Sequence, residues 1–237
     1  MIPQLILLSG PIIGISLSYY LKLKANKFIG NTILFSGAFL FGIALFGLLP
    51  ELFDNIKQAG IWLAVGFLFQ IVLEKFTGGI GHGHIHKNEI PKNIYVLFVG
   101  LFLHAFFEGY SAGLSNYLNT SIISGMVVGI SIHEIPASFA LSVLLASKFS
   151  NKKVLNLLLI SYALATSIGF TLGSYLHDEN LISEHMSQVI TAIIAGTFLH
   201  ISTTIVFEHS LWKKEGLKRW LVILMALSIS YIACSIG

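Results

Sequence analysis

Five ionisable side chains stand inside long apolar runs of this 237-residue chain. They are His104 and Glu108 in LFLHAFFEGYSAGL, His133 and Glu134 in GISIHEIPASFALSVLLA, and His200 in AGTFLHISTTIVFE. Imidazole nitrogen together with carboxylate oxygen is a donor set for zinc and other first-row divalent ions. His104 and Glu108 are four residues apart, which puts them on one face of a helix. The same groups can instead form a proton relay, or a hydrogen-bonded His–Glu pair that joins two helices, and the residue types alone leave all three open. HEIPA also begins like the zinc-protease pattern H-E-x-x-H, but the position of the second histidine is Ala137, which argues against an intramembrane metalloprotease. A di-iron oxidase of the bundle type needs more carboxylates than these five residues supply. The chain is therefore read as something other than an enzyme.

The elements that carry these residues follow from composition. Hydrophobic residues make up 55% of the chain and charged ones only 11%, with a mean hydropathy of +0.82. A soluble domain carries roughly 25% charged residues. A bilayer core needs about 20 apolar residues per helix, and only helices and closed barrels can cross it with every backbone group satisfied. Eight runs fit, at about 3–21, 30–50, 59–74, 93–115, 120–147, 153–176, 187–207 and 219–236. They are too long and too little alternating for barrel strands. The expected fold is an all-α polytopic membrane protein of about eight transmembrane helices, in a single transmembrane domain over 1–237. Residues 1–21 have no basic n-region and no clear cleavage site, so they read as the first span and not as a signal peptide. The lone Cys234 has no partner in the chain for a disulfide.

Charge orients the spans. The first, third, fifth and seventh loops hold Lys22, Lys24 and Lys27; Lys75, Lys87 and Lys92; Lys148, Lys152 and Lys153; and Lys213, Lys214, Lys218 and Arg219. The even loops hold only Lys57 together with Glu51, Asp54, His177, Asp178, Glu179 and Glu184. The positive-inside rule makes the odd loops cytoplasmic and puts both termini outside. The reading is a multi-pass integral protein of the plasma (inner) membrane, and the basic residues carry no nucleic-acid signature.

The fourth and fifth spans are joined by a short polar loop and should pack antiparallel. Counted from Leu118, His104 lies 14 residues back and His133 lies 15 forward. At about 1.5 Å rise per residue the two rings fall at nearly one depth, close to the midplane. Pro136 removes a helical hydrogen bond within one turn of His133 and predicts a kink there. A carbonyl freed at that depth must be buried in protein or line a cavity.

Taken together, HAFFEG (104–109), HEIPASFALS (133–142), FSGAFLFGIALFGLLPE (35–51), AGTFLHISTTIVFE (195–208) and ALATSIGFTLG (163–173) resemble the ZIP family of divalent metal transporters. The resemblance covers nearly the whole chain. It implies transport of zinc, or of iron, manganese or cadmium, toward the cytoplasm through a site between spans four and five. The metal is then substrate, with no organic cofactor, and the partners are the lipid bilayer and the ion, with a homodimer left open. Carried over, the family's first site maps onto His104, Glu108 and His133. Ala137 stands where a fourth ligand is common, Ala105 where a polar residue follows the span-four histidine, and Thr166 near a carboxylate that some members carry. The resemblance therefore implies three protein ligands and an open position for water or Glu134. His200 stands at a position that is often aromatic, and is either an accessory ligand or a core histidine bonded to a neighbouring helix.

The cytoplasmic segment 76–92 contains GIGHGHIHKNE, in which His82, His84 and His86 alternate with small or apolar residues. Such a tract can hold metal weakly, or serve only as a solvated linker. SGAFLF (36–41) and AGTFLH (195–200) are alike and lie on oppositely running spans. That is the mark of an inverted repeat, and the resemblance likewise implies a repeat of helices 1–3 and 6–8 around helices 4 and 5, with one bundle moving against another. Two further readings stay open: a proton-coupled carrier of another solute, and a metal-sensing relative that does not transport.

Overall fold

The computed structural model describes residues 1–21, 26–77, 94–115, 118, 120–207 and 216–235. His82, His84 and His86 lie outside the described residues. Among those described there is helix and no strand.

The helices are α1 (Ile2–Leu21), α2 (Asn26–Ile43), α3 (Leu49–Asn55), α4 (Ala59–Thr77), α5 (Ile94–Leu114), α6 (Thr120–Lys148), α7 (Lys152–Asp178), α8 (Glu184–Phe207) and α9 (Gly216–Ser235). Each of the eight expected spans falls in this series, and α5 and α6 are the fourth and fifth. Among the described residues seven stretches are long and apolar enough to cross a membrane. The remaining helix, α4, is 19 residues long and carries Gln70, Glu74 and Lys75 in its second half. The chain is thus a multi-pass helical membrane protein.

The second span departs from expectation at its end. α2 runs through a π-helical turn, Ala44–Leu48, into α3, so the helix continues past Pro50 to Asn55. Pro50 sits in the first turn of α3, where a missing N–H costs nothing within that segment. The widened turn before it is the local adjustment that lets one helix follow another without a corner. Pro136, by contrast, lies inside α6, which the backbone carries from Thr120 to Lys148 without a break.

The loop between α6 and α7 shows how such short connections are closed. Asn151 caps α7 by accepting from the Lys153 backbone N–H at 3.0 Å. At the other end of α7, Asn180 has φ 54°. Asparagine tolerates this left-handed geometry, and the Leu181 N–H closes back on the Leu176 carbonyl at 3.0 Å.

The helices form two bundles. One contains α2, α4, α8 and α9; the other contains α1, α5, α6 and α7. α5 and α6 touch, but α5 has its long seam with α7, and α6 has its long seam with α1. Neither helix has its longest seam with its neighbour in sequence. Glycine explains the preference. A Cβ at Gly109 would overlap the Thr166 carbonyl, one at Gly113 that of Phe170, one at Gly169 that of Phe106 and one at Gly173 that of Tyr110. Four missing side chains bring the α5 and α7 backbones into direct contact, as small residues do between membrane helices. The α1–α6 seam adds hydroxyls, with Ser131 Oγ donating to the Ile6 carbonyl at 2.7 Å and the hydroxyls of Ser18 and Ser142 2.7 Å apart.

The pairings have an internal symmetry. α5 against α7 mirrors α6 against α1, and α4 against α8 mirrors α9 against α2. α2 against α6 mirrors α8 against α5, and α4 against α5 mirrors α9 against α6. This is the pattern that exchanging the first three spans with the last three would produce, as the resemblance of SGAFLF to AGTFLH leads one to expect.

Candidate metal centre

Among the described residues the apolar interior has two large cores and a small cluster of Ile33, Ile201 and Ile205, and the ionisable residues lie between the two large ones. On α6, Ile122, Met126, Val127 and Ile130 belong to one core and Ala140, Leu141, Leu144 and Leu145 to the other. His133 and Glu134 fall between these stretches. On α5, Leu97, Leu101 and Ala105 belong to the second core and Ala112 to the first, with His104 and Glu108 near the crossover.

Helical spacing does the local positioning. His104 Nε2 and Glu108 Oε1, one turn apart on α5, are 3.2 Å from each other. The His133 ring on α6 meets that of His104 edge-on, with centroids 6.1 Å apart and planes at 76°. His104, Glu108 and His133 each offer a ligand atom, and the three atoms lie within 4.8 Å of one another. All three residues are buried, His133 completely.

The hydrogen bonding of this group is unusual. Among the described residues, neither nitrogen of His133, neither carboxylate oxygen of Glu108, nor Nε2 of His104 has a hydrogen-bond partner. Buried polar atoms almost always find one; here His104 and Glu108 have their 3.2 Å contact with each other, while burying the His133 imidazole with neither nitrogen bonded is costly. Donor atoms that share one tetrahedral zinc ion stand about 3.4 Å apart, given metal–ligand distances near 2.1 Å. The His104–Glu108 separation is close to this, and the His133 ligand atom lies within 4.8 Å of both. The donor set fits a divalent cation.

Glu134 is adjacent in sequence but differs in its contacts. Its Oε2 accepts a 2.7 Å hydrogen bond from the hydroxyl of Tyr162 on α7. It is not part of the group of three whose ligand atoms converge. Tyr162 was missed from sequence, although a signal existed: a tyrosine in a span must find a partner for its hydroxyl, and Tyr162 lies one turn before Thr166. Thr166 is fully buried, with no hydrogen-bond partner for Oγ1 among the described residues. Ala137 is likewise fully buried and offers no ligand. Ser138, one turn after Glu134, donates its hydroxyl to the Glu134 carbonyl at 2.6 Å, just past Pro136.

His200 lies apart, on α8. Its Nε2 is 3.5 Å from Glu74 Oε2 on α4, and its ring stands edge-on to Phe67 with centroids 4.9 Å apart. Arg219, assigned to the seventh loop by charge, is buried in α9 and donates from Nη2 to the Val206 carbonyl at 2.7 Å.

A cavity of about 340 Å³ reaches the centre from between α4, α5 and α8. Its wall is mainly apolar, with His104, Glu108, Gln70 and Thr197 as polar contributors. It therefore runs along the boundary between the two bundles.

Comparison with known proteins points to one family. The family model for the ZIP zinc transporter matches residues 82–232. The chain is 29% identical over 159 residues to zinc transporter ZIP9 of Micropogonias undulatus, a match covering 61% of this chain and 49% of that protein. It is 27% identical over 225 residues to zinc transporter ZIP1 of Danio rerio, covering 79% and 74% respectively. Zinc transporter ZIP9 of Xenopus tropicalis is 28% identical over 157 residues, covering 61% and 50%. The chain thus spans about half the length of the two ZIP9 relatives and about three quarters of ZIP1.

Proposed function

The chain belongs to the ZIP zinc transporter family, and from that premise we propose that it moves divalent transition-metal ions, zinc foremost, across a membrane through the centre formed by His104, Glu108 and His133. The observation that carries the proposal is the convergence of three buried ligand atoms within 4.8 Å at the boundary between two helix bundles.

The chemistry follows from the donors. Two neutral imidazoles and one carboxylate hold the ion with a single formal negative charge, which leaves one coordination position for water. Binding of that strength suits a carrier, because an ion held too tightly is not released. The bundle of α1, α5, α6 and α7 carries all three ligands, while α4 and α8 of the other bundle face His104 and Glu108 across the cavity. Movement of one bundle against the other exposes the ion to each side in turn. Transport runs toward the face bearing the lysine-rich loops, which the positive-inside rule makes cytoplasmic, and the membrane is the plasma (inner) membrane.

The test is zinc flux into liposomes containing the purified protein and a trapped metal-sensitive dye. Saturable influx is expected for the wild type, with His104→Ala and Glu108→Ala reduced to the rate of protein-free vesicles. Wild-type protein that is folded but no faster than empty vesicles would overturn the proposal. Iron, manganese and cadmium as competitors rank the ions.

A further inference from the structure

Away from the metal centre, a cavity of about 200 Å³ lies between α1 and α7. Its walls come from one face of each helix. On α1 they include Ile12, Ser16 and Tyr19, and on α7 Asn156, Ile160 and Ala163, spaced three or four residues apart. Ile12, Tyr19 and Ile160 are exposed, so the cavity is a groove open sideways, and in a bilayer it opens to lipid.

The groove has two different ends. Deep in the span, Ser167 Oγ donates to the Gln4 carbonyl at 2.9 Å and draws the helices together. At the other end the Tyr19 hydroxyl donates to Asn156 Oδ1 at 3.5 Å. Beyond Asn156, α7 begins with Lys152 and Lys153, both exposed, and its first turn holds no acidic residue. Lys152 stands four residues before Asn156 and Lys153 three, which places both on or beside the face that lines the groove. The positive end of the α7 dipole lies at the same place.

Polarity therefore runs along one line, from cationic at Lys152 and Lys153, through polar at Tyr19 and Asn156, to apolar at Ile12, Ile160 and Ala163. From Lys152 to Ala163 the helix rises about 16 Å, close to half of a hydrocarbon core about 30 Å thick. That is the length of one leaflet and the order of parts in one lipid. The exposed rings of Tyr19 and Tyr20 mark the level of the membrane–water interface, where tyrosine is favoured. The lysines place this end at the cytoplasmic leaflet, where anionic lipids concentrate.

We propose that the α1–α7 groove is a binding site for one anionic phospholipid. Lys152 and Lys153 hold its phosphate, Tyr19 and Asn156 flank the glycerol region, and one acyl chain lies along Ile12, Ile160 and Ala163. A zwitterionic lipid would fill the groove equally well but would leave the two lysines without a net countercharge. The site is independent of the transport reading and needs only that the helices lie in a bilayer. Because α1 and α7 belong to the bundle that carries His104, Glu108 and His133, the lipid is bound to the metal-bearing bundle.

The experiment offers the purified, delipidated full chain equal amounts of phosphatidylglycerol and phosphatidylcholine with matched acyl chains, and counts retained lipid by native mass spectrometry. One phosphatidylglycerol per chain is expected for the wild type. Lys152→Gln combined with Lys153→Gln should reduce the preference for phosphatidylglycerol about 30-fold. Ile160→Trp fills the groove and keeps both lysines, and should abolish retention of either lipid; Ile12→Trp, from the opposite wall, should do the same. Lys75→Gln combined with Lys218→Gln removes the same charge at exposed positions of the other bundle and should change nothing. A preference that survives loss of Lys152 and Lys153, or falls equally in the Lys75 and Lys218 pair, overturns the proposal. Retention undiminished in both tryptophan variants overturns it as well, leaving only a charged surface. So does a protein dimer that these variants dissociate, since the groove would then hold a second copy of the chain.

Discussion

The hydroxyl of Tyr162 on α7 donates a 2.7 Å hydrogen bond to Glu134 Oε2 on α6, one residue from the metal ligand candidate His133. Both partners are fully buried. The bond ties the helix that carries His133 to the helix that seams α5, so all three helices around the centre are coupled.

Tyr162→Phe should therefore destabilise the protein. It leaves Glu134 with no donor, and an orphaned buried acceptor costs about 1–3 kcal/mol. Adding Glu134→Leu removes the orphan, and the double variant should recover much of the loss. Thermal unfolding in detergent, read as a double-mutant cycle, measures the coupling. Additive effects would show that the bond contributes nothing.

His133 and Glu134 should separate in metal binding. His133→Ala removes a ligand and should weaken Zn²⁺ affinity by more than about tenfold, since even disturbing an outer-shell partner costs about 10- to 100-fold. Glu134→Gln retains an oxygen to accept from Tyr162 and should leave affinity within a few-fold of wild type. Isothermal titration with Zn²⁺ distinguishes them, and equal losses in both variants would make Glu134 a ligand.

The α5–α7 seam should not tolerate side chains. In Gly113→Val the new Cβ meets the Phe170 carbonyl, and in Gly173→Val it meets that of Tyr110. Forcing the helices apart costs typically 1–3 kcal/mol, and about that much is expected for each variant. Gly60→Ala is the control, because its Cβ would find only Phe53 Cε1 at 3.9 Å. Melting temperatures should fall for the two seam variants and hold for the control.

Orientation is open to chemical labelling. In a Cys234→Ser background, Asp178→Cys at the end of α7 should react with an impermeant maleimide from outside intact cells. Lys152→Cys at the start of the same helix should react only after permeabilisation. Both positions are exposed. The reverse pattern would invert the topology derived from the lysines.

The sequence by itself determined the class of molecule and the candidate ligands. Eight apolar runs with 11% charge leave helices in a bilayer as the solution. His104, Glu108 and His133 are legible because an ionisable group in such a run is costly and rarely idle. Matched depth could be counted, since helical rise is constant. Lateral choice of partner could not. A helix presents all its faces to a lipid as apolar as its neighbours, so hydrophobic pattern does not say which face meets which. Only the tertiary structure decided that α5 seams with α7 and α6 with α1, through carbonyls that pack where Gly109, Gly113, Gly169 and Gly173 lack a side chain. That choice delivers Tyr162 to Glu134, and the close backbone approach of α4 and α8 at Gly66 and Gly196 likewise brings Glu74 to His200 across 126 positions of chain. These pairs are set by backbone approach between distant segments, and no local spacing encodes them.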